Sequence, residues 1–572
     1  MKRRWELCTP DLKAVETLSK FLGCHRAIAG AMVNRGIREP GAAERFLGPS
    51  LADLASPFLL KDMDKAVSRI IRAIQARENI LVFGDYDADG VCSTALLTEF
   101  LQEAGARVFF HVPHRTKEGY GFSPSHVLNP VLSKKIQLVI TVDNGISSHK
   151  AIEEAREAGV DVIVTDHHTP SDTPPRALAV IDPKLPGCPS GLDHLAGVGV
   201  AFYLCICLRM AMREQGLWPD GKEPNLKHKC DLVALGTVAD MVPLVGENRI
   251  LTTAGLEVMG AALRPGLRAL LEVSAVDCNA VTAHDLAFRV APRLNAPGRV
   301  NHANLAVELL LERDPAKARR LAGEVDGLNR QRQRMSEDLY ASVLSLLKSD
   351  EDLKGQRSLV LAHPGWHPGV IGIAAAKLVR EFNCPVVLIS LNENMGKGSA
   401  RSIPGVDLYQ ALQGCESQLL AFGGHAQAAG LTIHNESIDT FRGLFDHQVM
   451  GSSTARDFEP VLTIDYHVDT GDVGPEFANQ IESMAPFGMS NPEPVFLSRG
   501  VGIRQGPTVG RGHRRMAFQS QEGDPRPLQA IWFNAQDRLV PSIADEVAFR
   551  VQWNRWKDRQ TVQAVVEGIR DN

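Results

Sequence analysis

From residue 79 onward, apolar residues fall into short continuous runs separated by longer stretches with helical spacing. Ile80–Gly84, Arg107–Val112, Leu138–Val142, Val160–Thr165 and Ala177–Ile181 read as strands, with helices at Val91–Ala104 and Ser148–Ala158 between them. Such alternation predicts a parallel sheet covered on both faces. Upstream, residues 1–78 read as mostly helical, and Asp64–Arg77 sets Val67, Ile70, Ile71 and Ile74 on one face. Downstream, Pro315–Leu347 reads as one long helix with Leu321, Val325, Leu328, Met335, Leu339, Val343 and Leu346 along one stripe. A smaller α/β unit follows, with strands at Leu359–Ala362 and Pro385–Ser390 around the helix Val370–Glu381. Beyond residue 452, short β-like runs separated by turn residues predict a small barrel: Val461–Tyr466, Val495–Leu497, Met516–Gln519, Leu528–Phe533, Val547–Trp553 and Gln560–Val566. The reading is an α/β chain in five parts: a helical lead-in (1–78), a parallel-sheet domain (79–312), a connecting helix (313–350), a smaller α/β domain (351–452) and a β-barrel (453–572).

A chain of 572 residues is too long for one core, which agrees with that division. No run reaches the ~18 uncharged apolar residues of a membrane span. The basic start Met1–Leu7 is not followed by an apolar signal core. A soluble cytoplasmic protein without a membrane role is the expectation. The ten cysteines are scattered without a Cys-x-x-Cys pair, which fits free thiols in a reducing compartment. A net charge of −5 argues against a protein coated in positive charge but leaves room for a local basic channel.

In parallel sheets, ligands bind beyond the carboxyl ends of the strands, and acidic residues recur there. Asp85-Tyr86-Asp87-Ala88-Asp89-Gly90 follows one predicted strand, Asp143-Asn144-Gly145 another and Asp166-His167-His168 a third. Asp240 ends the helical run from Lys229 through Gly236-Thr237-Val238-Ala239. A solvated acidic turn is the simpler reading of any one motif. Repetition at several element ends argues for one shared crevice, where carboxylates repel unless a cation lies between them. Oxygen and imidazole donors suit Mn²⁺ or Mg²⁺.

Cationic and glycine-rich stretches add a second theme. Ala291–Arg299 carries two prolines and two arginines and reads as irregular, either a surface loop or a phosphate clamp offering Arg293, Asn295 and Arg299. Arg319, Arg320, Arg330, Arg332 and Arg334 read as lying on or near the exposed side of the long helix, a solvated face or a nucleic-acid path. Gly396–Ser402 and Gly423–Gly430 read as turns whose exposed N–H groups, beside Ser399, Arg401 and His425, suit phosphate contact. Residues 499–572 carry 12 Lys or Arg against 8 Asp or Glu, a locally basic balance. There Arg511, Arg514, Arg515, Arg555, Lys557 and Arg559 accompany Trp532, Phe533, Trp553 and Trp556, the cations and aromatics that single-strand binding requires. A barrel core with a solvated basic rim accounts for some of them.

Together these motifs resemble the DHH phosphoesterase superfamily, named for Asp166-His167-His168, and within it the bacterial single-strand-specific 5′→3′ exonucleases. The resemblance also rests on Gly236–Leu244, Arg293–Arg299, Gly423–Gly430 and Ala485–Pro494. Phe83 stands where many relatives carry a His ahead of the first carboxylates, and Asp85 supplies the ligand. The resemblance implies a DHH domain over 79–312, a DHHA1 domain over 351–452 and an OB-like domain over 453–572. It implies two divalent cations, Mn²⁺ or Mg²⁺, with Asp143 bridging, Asp85 and Asp87 on one ion, and Asp89, His167 and Asp240 on the other. Asp166 would orient the histidine pair, and His168 and Arg299 would neutralise charge on the phosphoryl oxygens. By resemblance and donor chemistry, Arg115, Ser399 and Arg401 would hold a terminal phosphate. The implied activity is 5′→3′ hydrolysis of single-stranded DNA to mononucleotides in DNA repair and recombination. The implied partners are a strand with a 5′ end, a single-strand-binding protein and a helicase.

Two other readings remain open at this point. A DHH phosphodiesterase of short oligonucleotides or cyclic dinucleotides would share the acidic core, but such relatives lack the extra barrel. A non-catalytic single-strand-binding replication scaffold would share the fold, but such relatives have typically lost metal ligands that are present here.

Overall fold

Five parallel strands form the central sheet: Asn79–Phe83, Arg107–His111, Leu138–Val142, Asp161–Thr165 and Ala179–Ile181. The first lies between the second and the third, so successive connections leave it in opposite directions. Such a reversal opens a crevice at the strand ends, and Asp85 and Asp143 follow the two strands that flank it. Side chains alternate between two cores. Ile80, Val82, Leu138 and Ile140 join the core that holds the helices Ala88–Glu103 and Gly197–Glu214, while Leu81, Phe83, Val139 and Val162 face the helix His149–Glu157. The structure is a computed structural model that describes residues 3–571 except 172, 262–263, 350–355, 511, 521–525, 536–537 and 557–558.

The helix after the first strand starts at Ala88 rather than Val91. Asp87 caps it, its Oδ1 accepting from the N–H groups of Asp89 and Gly90 at 3.0 and 3.1 Å. Asp89 therefore sits in the first helical turn, and the acidic motif wraps a helix N-terminus.

The helix Pro315–Ser349 spans two domains: Leu321, Ala322 and Val325 enter the first core, and Leu339 and Val343 enter the next. That next domain holds a mixed five-stranded sheet in the order Leu419–His425, Ala428–His434, Met395–Arg401, Val386–Leu391, Leu359–His363. Both glycine-rich stretches, predicted as turns, are therefore largely strand. Ile389 and Leu431 on neighbouring strands cover Gly396 and Gly398, so pairing across the sheet overrides local turn preference.

In the last part, Phe496–Val509, His513–Gln519, Leu528–Trp532, Arg559–Arg570 and Ile543–Trp556 close into an OB-like barrel, the first strand pairing with the last. The first strand runs well beyond Val495–Leu497. Gly500, Gly506 and Pro507 interrupt its apolar pattern, and a register shift between Gln505 and Thr508 accommodates the break. The first part of the N-terminal segment, residues 4–47, joins this end of the chain, whereas the helix Met63–Gln75 packs into the first core. Arg4–Leu7, a strand that its polar residues conceal, pairs in parallel with Val461–Ile464. The helices Leu12–Leu22 and Arg26–Asn34 place Val15, Leu18, Ile28 and Met32 in one core with Phe477, Phe496 and Phe518. Met32→Ala is expected to remove about 2–5 kcal/mol from this unit. Hydrogen exchange should then quicken in the barrel strands while Leu138–Val142 keeps its protection; unchanged barrel exchange would contradict the shared core.

Candidate active site

The acidic strand ends converge. Ligand atoms of Asp85, Asp87 and Asp143 all lie within 4.8 Å of one another, as do those of Asp89, His167 and Asp240, and those of Asp143, His167 and His168. His167 Nε2 stands 3.1 Å from Asp143 Oδ1, 3.6 Å from Asp240 Oδ2 and 3.9 Å from Asp89 Oδ2. Asp143 turns its carboxylate inward from a left-handed backbone, φ +61°, which Asp tolerates better than most side chains. Two glycines make room. A Cβ on Gly197 would lie 2.5 Å from Asp143 Oδ1, and one on Gly236 would lie 2.7 Å from Asp89 Oδ1. Close approach then lets the N–H groups of Gly197 and Val198 donate to Asp89 at 2.8 and 3.0 Å, from the start of the helix Gly197–Glu214.

These contacts do not balance the charge. Burial first, then like charge on neighbouring carboxylates, lifts Asp85, Asp89, Asp143 and Asp240 above the usual carboxylate range. Burial also drives His167 down to about 3, leaving it neutral. Asp85 Oδ1, Asp143 Oδ1 and both ring nitrogens of His167 have no hydrogen-bond partner; the close Asp143–His167 pair is not aligned for one. Two unit charges 4 Å apart repel by about 4 kcal/mol at an effective dielectric of ~20, whereas a helix N-terminus returns about 0.3–1 kcal/mol. Hard oxygens with one neutral imidazole, converging and unpaired, fit divalent cations.

Asp166 plays a different part. Its carboxylate accepts from the N–H groups of Ile146, His167 and His168 at 2.9, 2.8 and 3.2 Å, and its Oδ1 lies 2.7 Å from His168 Nδ1. Burial pulls the His168 imidazole down, but the hydrogen bond and charge of Asp166 outweigh it and lift the ring to about 9. His168 is therefore a cation at neutral pH.

It faces a cavity of about 1230 Å³ between the two α/β domains, lined also by Arg115, Arg299, Ser399, Arg401 and His425. Arg299 spans the gap, its Nη1 donating to Gly369 O at 3.3 Å. Burial first, then Arg115 and Arg332, push its guanidinium down to about 9. Burial and Arg115 lower Arg401 as well. Arg401 Nη1 donates to Ser399 Oγ at 3.2 Å, and Arg115 lies over the Tyr86 ring at 4.7 Å. Tyr86 meets Tyr120 edge-on, and Tyr120 meets His168 the same way. Guanidiniums that depress one another make a site for an anion.

Two contacts predicted for the crevice lie elsewhere. Ala291–Val300 is a helix, not a loop: Pro292 stands in its first turn, where no N–H is needed, and only Pro297 falls inside. Arg293 Nε donates to Asp326 at 2.9 Å and its Nη1 to Arg289 O at 2.6 Å, which ties it to the scaffold. Asn295 Oδ1 accepts from Ala88 N–H at 2.9 Å and so anchors the acidic helix rather than lining the cavity. Arg514 and Trp553 stand on the barrel strands, as the sequence reading has them; Arg514 Nε donates to Ala535 O and Trp553 Nε1 to Asn479 Oδ1, both at 3.0 Å. Arg511 and Lys557 fall outside the described residues.

Other residues at the site were left undecided or missed by the sequence pattern. Arg332 does not point to solvent from the long helix: its guanidinium is half-buried, and its charge bears on Arg299. Asp182 follows the strand Ala179–Ile181, so the strand-end rule would have found it; burial lifts its carboxyl to about 7. His111, Glu118 and His126 form a further cluster. His126 Nδ1 accepts from Ser123 N–H at 2.9 Å, so its proton sits on Nε2 and is donated to Glu118 Oε2 at 3.0 Å. A ring in that state has no lone pair left for a metal. The cluster instead pins the loop that carries Arg115 and Tyr120.

Comparison with known proteins agrees with this geometry. Residues 79–237 match the DHH family N-terminal domain, residues 355–451 the DHHA1 domain and residues 464–568 the RecJ OB domain. The single-stranded-DNA-specific exonuclease RecJ of Dickeya dadantii is 39% identical over 549 residues, covering 94% of this chain and 94% of that protein. The Bacillus subtilis protein of the same name is 36% identical over 573 residues, 99% of this chain and 70% of its own. The crystal structure of Thermus thermophilus RecJ in complex with Mn²⁺ superposes with a TM-score of 0.83 at 31% identity, covering 100% of this chain and 80% of that one. With all three domains matched in order and the identity extending over nearly its whole length, the chain belongs to the RecJ family of single-stranded-DNA-specific exonucleases.

Proposed function

We propose that the protein is a metal-dependent exonuclease that hydrolyses single-stranded DNA from its 5′ end, releasing mononucleotides. The observation that carries this reading is a crowded, unbalanced carboxylate centre opening beside a cationic cavity. Asp85, Asp87 and Asp143 would hold one divalent cation, and Asp89, His167 and Asp240 a second, with Asp143 shared; Mn²⁺ and Mg²⁺ both suit these donors. Cations bound there supply a water of lowered pKa and neutralise the phosphodiester. Asp166 holds His168 by the contact at Nδ1, and His168 and Arg299 balance charge that develops on the phosphoryl oxygens.

Polarity comes from the far side of the cavity. Arg115, Ser399 and Arg401 would bind a terminal phosphate, and His425 lies on the same wall. The Arg299 contact with Gly369 O across the gap supports entry of a single strand rather than a duplex. The division of labour follows the parts: catalysis in 79–312, whose core the helix Met63–Gln75 joins, spacing by 313–350, end recognition by Arg115 with Ser399 and Arg401 of 351–452, strand capture in 453–572, and support of the barrel from residues 4–47. An enzyme confined to single strands depends on other machinery to expose them, so a helicase and a single-strand-binding protein belong to this reading, as do DNA repair and recombination in the cytoplasm. Among the described residues, no helix is long and apolar enough to cross a membrane. A hydrolase of dinucleotides would not need the barrel, and a non-catalytic scaffold would not need the converging, unpaired ligands.

The direct test is an end-labelled strand, single or double, incubated with Mn²⁺ or Mg²⁺. Degradation of the single strand from the 5′ end is expected, and equal turnover of a dinucleotide and a long strand would favour the smaller-substrate reading. Asp143→Ala should lower the rate by about 10²–10³-fold, the scale on which electrostatic stabilisation acts, while single-strand binding persists. Loss of both together would indicate misfolding. Arg401→Ala should abolish the preference for 5′-phosphorylated over 5′-hydroxyl ends; an unchanged preference would reject the terminal-phosphate pocket.

A further inference from the structure

Ala485–Pro494 is a motif that the chemistry above leaves unused, and it touches the loop that follows Asp240. Asp240 closes the helix Cys230–Ala239, its N–H donating to Gly236 O at 2.9 Å. The chain then turns through Met241, whose φ of +61° is left-handed, and runs to the buried Leu244. This short loop is gripped on both sides. From its own domain, Asn248 Nδ2 donates to Pro243 O at 3.0 Å and to His194 O at 2.6 Å. From the barrel side, Met489 O accepts the Leu244 N–H at 2.8 Å. Gly488 packs directly against the same leucine, and a Cβ there would lie 2.7 Å from Leu244 Cδ1.

The gripping segment is itself rigid. Gly488 and Asn491 exchange backbone hydrogen bonds at 2.9 and 3.1 Å. Buried Asn491 donates through Nδ2 to Met484 O and Pro486 O at 3.0 and 2.9 Å and accepts from Arg35 Nε at 3.0 Å. Arg249, buried in the helix that follows the Asp240 loop, donates to Ala485 O at 2.7 Å, to Pro486 O at 3.3 Å and to Phe46 O at 2.9 Å, and lies 3.9 Å over the Phe46 ring. One guanidinium thus joins the catalytic domain, the N-terminal helices and the 485–494 segment. A buried cation held by backbone carbonyls of separate segments makes the joint specific in geometry.

We propose that residues 485–494 are a positioning element for the metal centre: by holding Leu244 they fix the loop that carries Asp240. The barrel end of the chain then acts on chemistry as well as on strand capture. The inference rests on the reading of Asp240 as a metal ligand. Groups that orient a ligand commonly change metal affinity by about 10–100-fold when lost. Gly488→Val displaces Leu244, and Leu244→Ala in the same chain restores the space.

The test is Mn²⁺ titration of the full-length, metal-free protein, followed by calorimetry, with oligonucleotide binding in EDTA and the unfolding midpoint measured alongside. Gly488→Val should weaken one of two Mn²⁺ sites by about tenfold or more, with strand binding and midpoint near those of the parent. The double variant Gly488→Val, Leu244→Ala should regain most of that affinity. Two unaltered Mn²⁺ sites in Gly488→Val would overturn the proposal, as would a joint fall in metal binding, strand binding and midpoint that the double variant does not rescue. Asp240→Asn separates the two levels. If it loses a site and Gly488→Val does not, only the positioning role fails; if it keeps both sites, the ligand assignment fails and this inference with it.

Discussion

Repulsion among buried carboxylates is the constraint on which this molecule turns. Asp85, Asp89, Asp143 and Asp240 are brought together with a neutral imidazole at His167, one imidazolium at His168 and a few backbone N–H groups around them. Their mutual repulsion exceeds what those groups return. The fold holds them there through backbone order: a reversal in the sheet, a helix N-terminus at Asp87, a left-handed residue at Asp143 and two glycines that admit neighbouring helices. Such strain is retained where a bound cation relieves it.

The cavity repeats the logic with opposite sign. Arg115, Arg299, Arg332 and Arg401 crowd together, and their charges depress Arg299 and Arg401, so the anion that suits them is as well defined as the cation that suits the acidic side. A strand presented between them would satisfy both halves, its phosphodiester facing the cations proposed for the carboxylate centre and its terminal phosphate facing the guanidiniums. The connecting helix and the Arg299–Gly369 contact keep the two halves in register.

Much of the catalytic centre was legible because its signal is local. A strand followed at once by Asp needs only the hydrophobic pattern to be recognised, and Asp85, Asp143 and the Asp166–His168 triplet all follow it. What was not legible depends on distant parts of the chain. The direction of Arg332 is set by what packs on the long helix, not by its stripe. Arg293 and Asn295 carry the right chemistry but are taken by Asp326 and Ala88. Gly396 and Gly398 look like a turn until Ile389 and Leu431 cover them. The N-terminal helices reveal nothing locally of their place in the barrel core, nor does Arg249 of its three carbonyls.

The central claim is that the converging carboxylates hold two cations with Asp143 between them. Anomalous diffraction from crystals soaked in Mn²⁺ tests it most directly. The account predicts two peaks, both within coordinating distance of Asp143, one beside Asp85 and Asp87 and the other beside Asp89, His167 and Asp240. A single peak, or density only at His111, Glu118 and His126, would contradict it.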